Sequence, residues 1–142
     1  MAGETTSLAA TAWADSKVFQ VLKGVALQVA EATATYSNTN QLETNDVMEV
    51  CYLPSGLKVY GIAVTATDMD TNVSPALVQK ITIGSTDVLT GITNGQSGAT
   101  SYLPLPTPYT TSAIELVKIT TTTAAATGAT GSVKLRFYYT AP

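Results

Sequence analysis

Residues 45–70, NDVMEVCYLPSGLKVYGIAVTATDMD, hold two alternating apolar segments on either side of a Pro-Ser-Gly turn, and this stretch decides the fold. Successive side chains of an extended chain point to opposite faces. Met48, Val50 and Tyr52 therefore share one side of the first segment, and Val47, Glu49, Cys51 and Leu53 the other. Pro54 presets its own φ and Gly56 tolerates a positive one, so LPSGL is a tight reversal. Beyond it Tyr60, Ile62 and Val64 oppose Val59, Gly61 and Ala63 until the polar DMDTN loop. The spacing predicts two strands folded back on one another as a hairpin.

Working outward, more segments of the same kind appear. Residues 24–34 alternate, with Val25, Leu27 and Val29 expected inward. Residues 76–84 set Leu77, Gln79, Ile81 and Ile83 on one face; a GSTD turn and a short strand over 88–92 follow. TNGQSGAT at 93–100 reads as a flexible surface loop and, by position, a contact loop. YLPLPTPY at 102–109 carries three prolines at alternate positions. It must be extended, at an edge or across the outside of a sheet, since proline cannot donate to a ladder. Strands follow over 112–120 and 132–140, the last with Val133, Leu135, Phe137 and Tyr139 inward and Lys134, Arg136 and Tyr138 outward. Residues 1–23 are irregular and admit two readings: an extended arm anchored by Trp13 and Phe19, or a first strand, KVFQVLKG, on the protein's own sheet. Six to eight short strands without an amphipathic helix predict an all-β fold, an antiparallel β-sandwich, jelly-roll or Ig-like, in preference to a small barrel, over residues 24–142, with an N-terminal arm over 1–23.

Composition narrows the chemistry. The chain has 142 residues, a net charge of −3, 12% charged residues, one cysteine and no histidine. An internal disulfide is impossible, and the usual Ser-His or Cys-His nucleophiles lack their base. Cys51 lies mid-strand, where a thiol is a small core residue. Seven scattered Lys and Arg make no footprint for nucleic acid. No apolar run has the length of a membrane span and the first residues lack a secretory pattern, so synthesis in a reducing cytoplasm without export is expected. Asp68, Asp70 and Asn72 begin like a calcium loop, but Val73 stands where the turn needs Gly and Gln79 where a bidentate Glu is needed. A weak cation site on Asp68 and Asp70 is weighed against a solvated turn. Glu43, Asp46, Glu49 and Glu115 are the carboxylates from which a glycosidase pair would be drawn, and no spacing pairs them. No catalytic residue, cofactor or metal is expected.

The acidic start Asn45-Asp46-Val47, Glu49, Leu53-Pro54-x-Gly56, Val59 and Asp68-Met69-Asp70, with LVQKITIG at 77–84 and ATGATGSVKLRFYYT at 126–140, together resemble small structural proteins of tailed bacteriophages encoded near the major capsid protein. The resemblance spans residues 45–140 loosely. It implies a virion component, a cement or decoration protein on the outer capsid surface that ties capsomers together, often as a homotrimer, with the phage major capsid protein as partner. It implies no enzyme, no membrane and no direct nucleic-acid contact. In that reading Trp13, Phe19, Tyr60, Tyr102, Leu103 and Tyr138 are the candidate capsid or subunit contacts, the arm reaching a neighbouring subunit. A tail, neck or fibre-associated module is the alternative, and a glycan-binding module a further rival.

Overall fold

The structure is a computed structural model that describes residues 27–37 and 42–141. Eight strands follow in order: β1 (Gln28–Tyr36), β2 (Val47–Leu53), β3 (Lys58–Ala66), β4 (Val78–Ile83), β5 (Thr86–Ile92), β6 (Thr100–Thr110), β7 (Glu115–Thr123) and β8 (Gly131–Thr140). They form two antiparallel four-stranded sheets of order β1-β8-β3-β6 and β2-β7-β4-β5. The pairs β1·β8, β2·β7, β3·β6 and β4·β5 are nested one inside the next, so the chain is one long antiparallel ribbon wrapped around itself. This is the jelly-roll order, and it separates the two sandwich topologies that alternation alone leaves open.

The predicted hairpin at 45–70 is two strands but not a pair. β2 lies in one sheet against β7, and β3 in the other between β8 and β6. The turn between them carries the chain across the sandwich because Thr111 intercepts its polar groups. The Thr111 Oγ1 accepts from Leu57 N at 3.0 Å and donates to the Pro54 carbonyl at 2.7 Å, while its carbonyl accepts from Gly56 N at 2.9 Å. Thr111→Val, nearly the same shape without the hydroxyl, should lower unfolding free energy by ~1–3 kcal/mol. Urea denaturation checks this, and Thr111→Ser should recover most of the loss.

Facing follows the pairing rather than local apolarity. Both β2 and β3 carry an irregularity, between Glu49 and Cys51 and between Val59 and Gly61, and each resets the alternation. Met48 and Leu53 are thus both buried, as are Val59 and Ile62, although simple period-two counting sets each pair on opposite faces. In β8 the expected inward residues hold: Val133, Leu135 and Phe137 are buried and Tyr139 packs against the core. In β1 the expectation is reversed. The register sets Ala30, Ala32 and Ala34 beside Phe137, Leu135 and Val133. The large β8 side chains fill the interior on this side, alanines suffice opposite them, and Leu27 and Val29 turn outward at 61% and 52% exposure. Val25 lies outside the described residues.

From the second sheet Ile81, Ile83, Val117 and Ile119 complete the core, joined by Leu77 just before β4 and by Leu42, Met69 and Ala125 from the connecting segments. The 93–100 segment is no free loop. It holds a short 3-10 turn, Asn94–Gln96, with Asn94 and Gly95 buried. Asn94 Nδ2 donates to the Val64 carbonyl at 3.2 Å and Ser101 Oγ at 2.9 Å, and Gln96 Nε2 to the Leu77 carbonyl at 2.9 Å. β6, with Pro104, Pro106 and Pro108, is an edge strand as its prolines require.

Candidate interaction surface

The acidic loop resolves into a structural lock. Asp70 is 1% exposed. Its Oδ2 accepts from Ala76 N at 2.7 Å, Leu77 N at 3.1 Å and Ala126 N at 2.9 Å; its Oδ1 accepts from Thr127 N at 2.9 Å and Asn72 N at 3.4 Å. Burial alone would raise the carboxyl, but the amides of Thr127, Ala126, Ala76 and Leu77 outweigh it and hold the pKa at about 2. The alternate spacing that resembles a calcium loop instead builds Asx turns. Asp68 Oδ1 accepts from Asp70 N at 3.1 Å and Asn72 Oδ1 from Ser74 N at 2.9 Å. Among the described residues no three His, Cys, Asp or Glu gather to hold a metal ion.

Two other carboxylates, those of Asp46 and Glu115, are also committed to local structure. Asp46 Oδ2 accepts from Glu43 N at 2.8 Å, and Glu49 lies opposite Lys118 across the β2·β7 ladder. Glu115 takes the Tyr109 hydroxyl, which is the first cause of its lowered pKa, and the Ser112 amide at 2.9 Å. It also packs so closely on Gly84 that a Cβ there would meet its Oε1 at 2.6 Å. Burial pushes the Cys51 thiol up, which disfavours the reactive thiolate.

What faces outward with a distinct chemistry is the β1-β8-β3-β6 sheet. The register aligns Val29, Tyr138 and Gly61 in one row and Glu31, Arg136 and Ala63 in the next. Tyr102, opposite Ala63, leans back over Gly61 into space that a Cβ would occupy. There its ring meets Tyr138 edge-on, with centroids 5.2 Å apart and planes at 85°. Tyr102 is 52% exposed. Beside the aromatics, Arg136 Nε donates to Glu31 Oε2 at 2.6 Å, and this bond is the first cause of Glu31's lowered pKa. Arg136 is raised, first by its hydrogen bond to Tyr138 and then by Glu31.

Of the candidate contact residues, Tyr102 and Tyr138 are brought together. Tyr60 sits half-buried at the β3 irregularity, with the Lys58 ammonium 5.6 Å from its ring centroid. Leu103, paired with Ile62, packs partly buried against the core, on the opposite side of β6 from Tyr102. Trp13 and Phe19 lie outside the described residues. Alternation did not bring out Leu27, Val29 and Gly61 as members of this face. The signal was the outward set of β8, because whatever pairs with Tyr138 must share its side.

No family model matches this sequence, and no curated protein matches it. Solved structures do. A chain of the cyanophage Pam1 capsid asymmetric unit superposes with a TM-score of 0.73 at 26% identity, covering 84% of this chain and 88% of that one. A chain of the Ralstonia phage GP4 capsid gives 0.69 at 16% identity, over 82% and 85%. A chain of the capsid of Helicobacter pylori bacteriophage KHP30 gives 0.54 at 14% identity, over 82% and 88%. Because each match covers more than four-fifths of both partners, these capsid chains are close to this one in length. The structural neighbours of the chain are components of phage capsids.

Proposed function

We propose that this protein is a structural component of a phage head, a cement or decoration protein that binds the outer capsid surface and braces contacts between capsomers. The observation that carries the reading is the nearly full-length likeness, at 26% identity, to a capsid chain of similar size. A jelly roll of this size can add to a shell without being the whole of it. The work of such a subunit is buried area multiplied over many copies, which needs a rigid domain and exposed apolar anchors rather than an active site. The outer sheet with Tyr102 and Tyr138 offers such anchors, and the remaining contact candidates are Tyr60, Leu103, Trp13 and Phe19. The expected assembly is a homotrimer, seated where three capsomers meet.

The test is co-sedimentation of the purified protein with expanded capsid shells prepared from a phage lacking this gene. Saturable binding, in copy numbers divisible by three per site, supports the reading, and Tyr102→Ser with Tyr138→Ser should weaken it at least tenfold. Shells that do not retain the protein, while tails or necks do, would move it to the alternative placement.

A further inference from the structure

Asn94-Gly95 is the one Asn-Gly step in the chain, and the 3-10 turn buries both residues. Packing calls for each of them. The Asn94 side-chain amide donates to the Val64 carbonyl at 3.2 Å, the Ala99 carbonyl at 3.3 Å and Ser101 Oγ at 2.9 Å, and so ties the turn to β3 and β6. An aspartate there would set acceptor against acceptor. At position 95 a Cβ would meet Leu77 Cδ2 at 2.9 Å and Met69 Cε at 3.0 Å, so any larger residue must displace both side chains. The Gly95 carbonyl in turn accepts from Met69 N at 2.9 Å. The fold thus retains a pair that is chemically fragile: glycine sets no side chain in the path of an attack by its own nitrogen, and its backbone turns freely once released.

We propose that Asn94-Gly95 is a deamidation site that the native fold keeps closed, so that opening of the 93–100 segment exposes the chain to an irreversible change. In the open segment the Gly95 amide nitrogen gives up its proton to hydroxide and attacks Asn94 Cγ. A new N–C bond closes a succinimide ring, the bond from Cγ to Nδ2 breaks, and Nδ2 leaves as ammonia. Water then opens the ring at either carbonyl to leave aspartate or isoaspartate, and nothing is oxidised or reduced. The native geometry withholds the first step. Ring closure needs Cγ beside the Gly95 nitrogen, with the Asn94 ψ rotated well away from the roughly −20 to −30° of a 3-10 turn. That turn is closed by Gln96 N on the Thr93 carbonyl at 3.0 Å and Gly98 N on the Asn94 carbonyl at 3.2 Å, and the three acceptors of Nδ2 hold the side chain toward the strands. The product does not fit the site that Asn94 left. A carboxylate at 94 faces the Val64 and Ala99 carbonyls, and isoaspartate lengthens the backbone inside a tight turn. The folded lifetime is therefore set by how often this segment opens as well as by the folding equilibrium.

The inference concerns the free chain and stands apart from the capsid reading. The test is to age the full chain in mildly alkaline buffer, native and in concentrated urea, and to follow ammonia release and the Asp or isoAsp content at position 94 by peptide mass spectrometry. The unfolded chain should be modified at 94 ahead of every other asparagine, and the native chain at least tenfold more slowly. Refolding yield after removal of urea should fall in step with the modified fraction. Asn94→Ala, which cannot cyclise, should keep its yield through the same treatment. Ser101→Ala takes away one acceptor of Nδ2 and should raise the native rate several-fold while leaving the rate in urea unchanged, a pattern that separates restraint of the side chain from the chemistry of the dipeptide. A native chain modified as fast as the unfolded one would overturn the proposal. So would a native rate indifferent to Ser101→Ala, or aged and modified chains that refold in full yield.

Discussion

Asp70→Ala is expected to lower the unfolding free energy by about 3–5 kcal/mol, a large share of the ~5–15 kcal/mol that holds a domain folded. The loss is not that of one side chain. Its carboxylate gathers five backbone amides from the 72–77 and 126–127 segments. Without it those donors stay in place with nothing to accept them. Asp70→Asn should cost about 2–4 kcal/mol, because the amide nitrogen would aim its own hydrogens at donors. The pH dependence has a defined sign. The folded pKa is depressed from an ordinary 3.8 to about 2. The stabilisation is therefore complete above pH ~4 and is lost as pH falls through about 2. Glu115, also lowered, adds to the same acid limb. Chemical denaturation midpoints between pH 2 and 5 should fall steeply for the native chain and more gently for Asp70→Asn; parallel slopes would show that Asp70 titrates normally.

The same residue shows where the sequence could be read and where it could not. Alternating Asp68, Asp70 and Asn72 were visible, and so was their failure as a calcium loop at Val73 and Gln79. The actual partners of Asp70 were not, because Ala126 and Thr127 lie more than fifty residues away and contribute backbone amides, which leave no trace in side-chain identity. The strands were legible wherever one face is buried and the other wet, as in β8. The sandwich followed from them. Three things hid the rest. The irregularity in β2 resets parity without any glycine or proline at the bulged step to announce it, and in β3 the lone Gly61 beside the step reads equally well as an ordinary strand position. The LPSG turn has the chemistry of a hairpin, and only Thr111, fifty-four residues beyond Leu57, diverts it to the other sheet. In β1 the bulkier residues point outward because Phe137 and Leu135 already occupy the interior beside its alanines, a matter of volume that one strand's pattern does not contain. The contact surface was legible in part for the same reason: Tyr138 was placed outward from its own strand, but Val29 and Gly61 join it only through the register.

Phe137→Ala and Tyr138→Ala, one residue apart, should differ several-fold in cost. Phe137 is 1% exposed and among the largest fully buried side chains. It sits on a central strand, beside Ala30 on one side and Ile62 on the other. Removing its ring leaves a cavity that rigid neighbouring strands cannot close, and the expected loss is ~3–5 kcal/mol. For a chain of this length that lowers Tm by about 10–15 °C. Tyr138 projects to the outer face, where its truncation forfeits the edge-on contact with Tyr102 and partial burial, about 0.5–1.5 kcal/mol. The asymmetry tests the facing of the strand that links β1 to β3. Equal losses at the two positions would mean that β8 is buried on both sides, and the face on which Tyr102 and Tyr138 meet would then be interior.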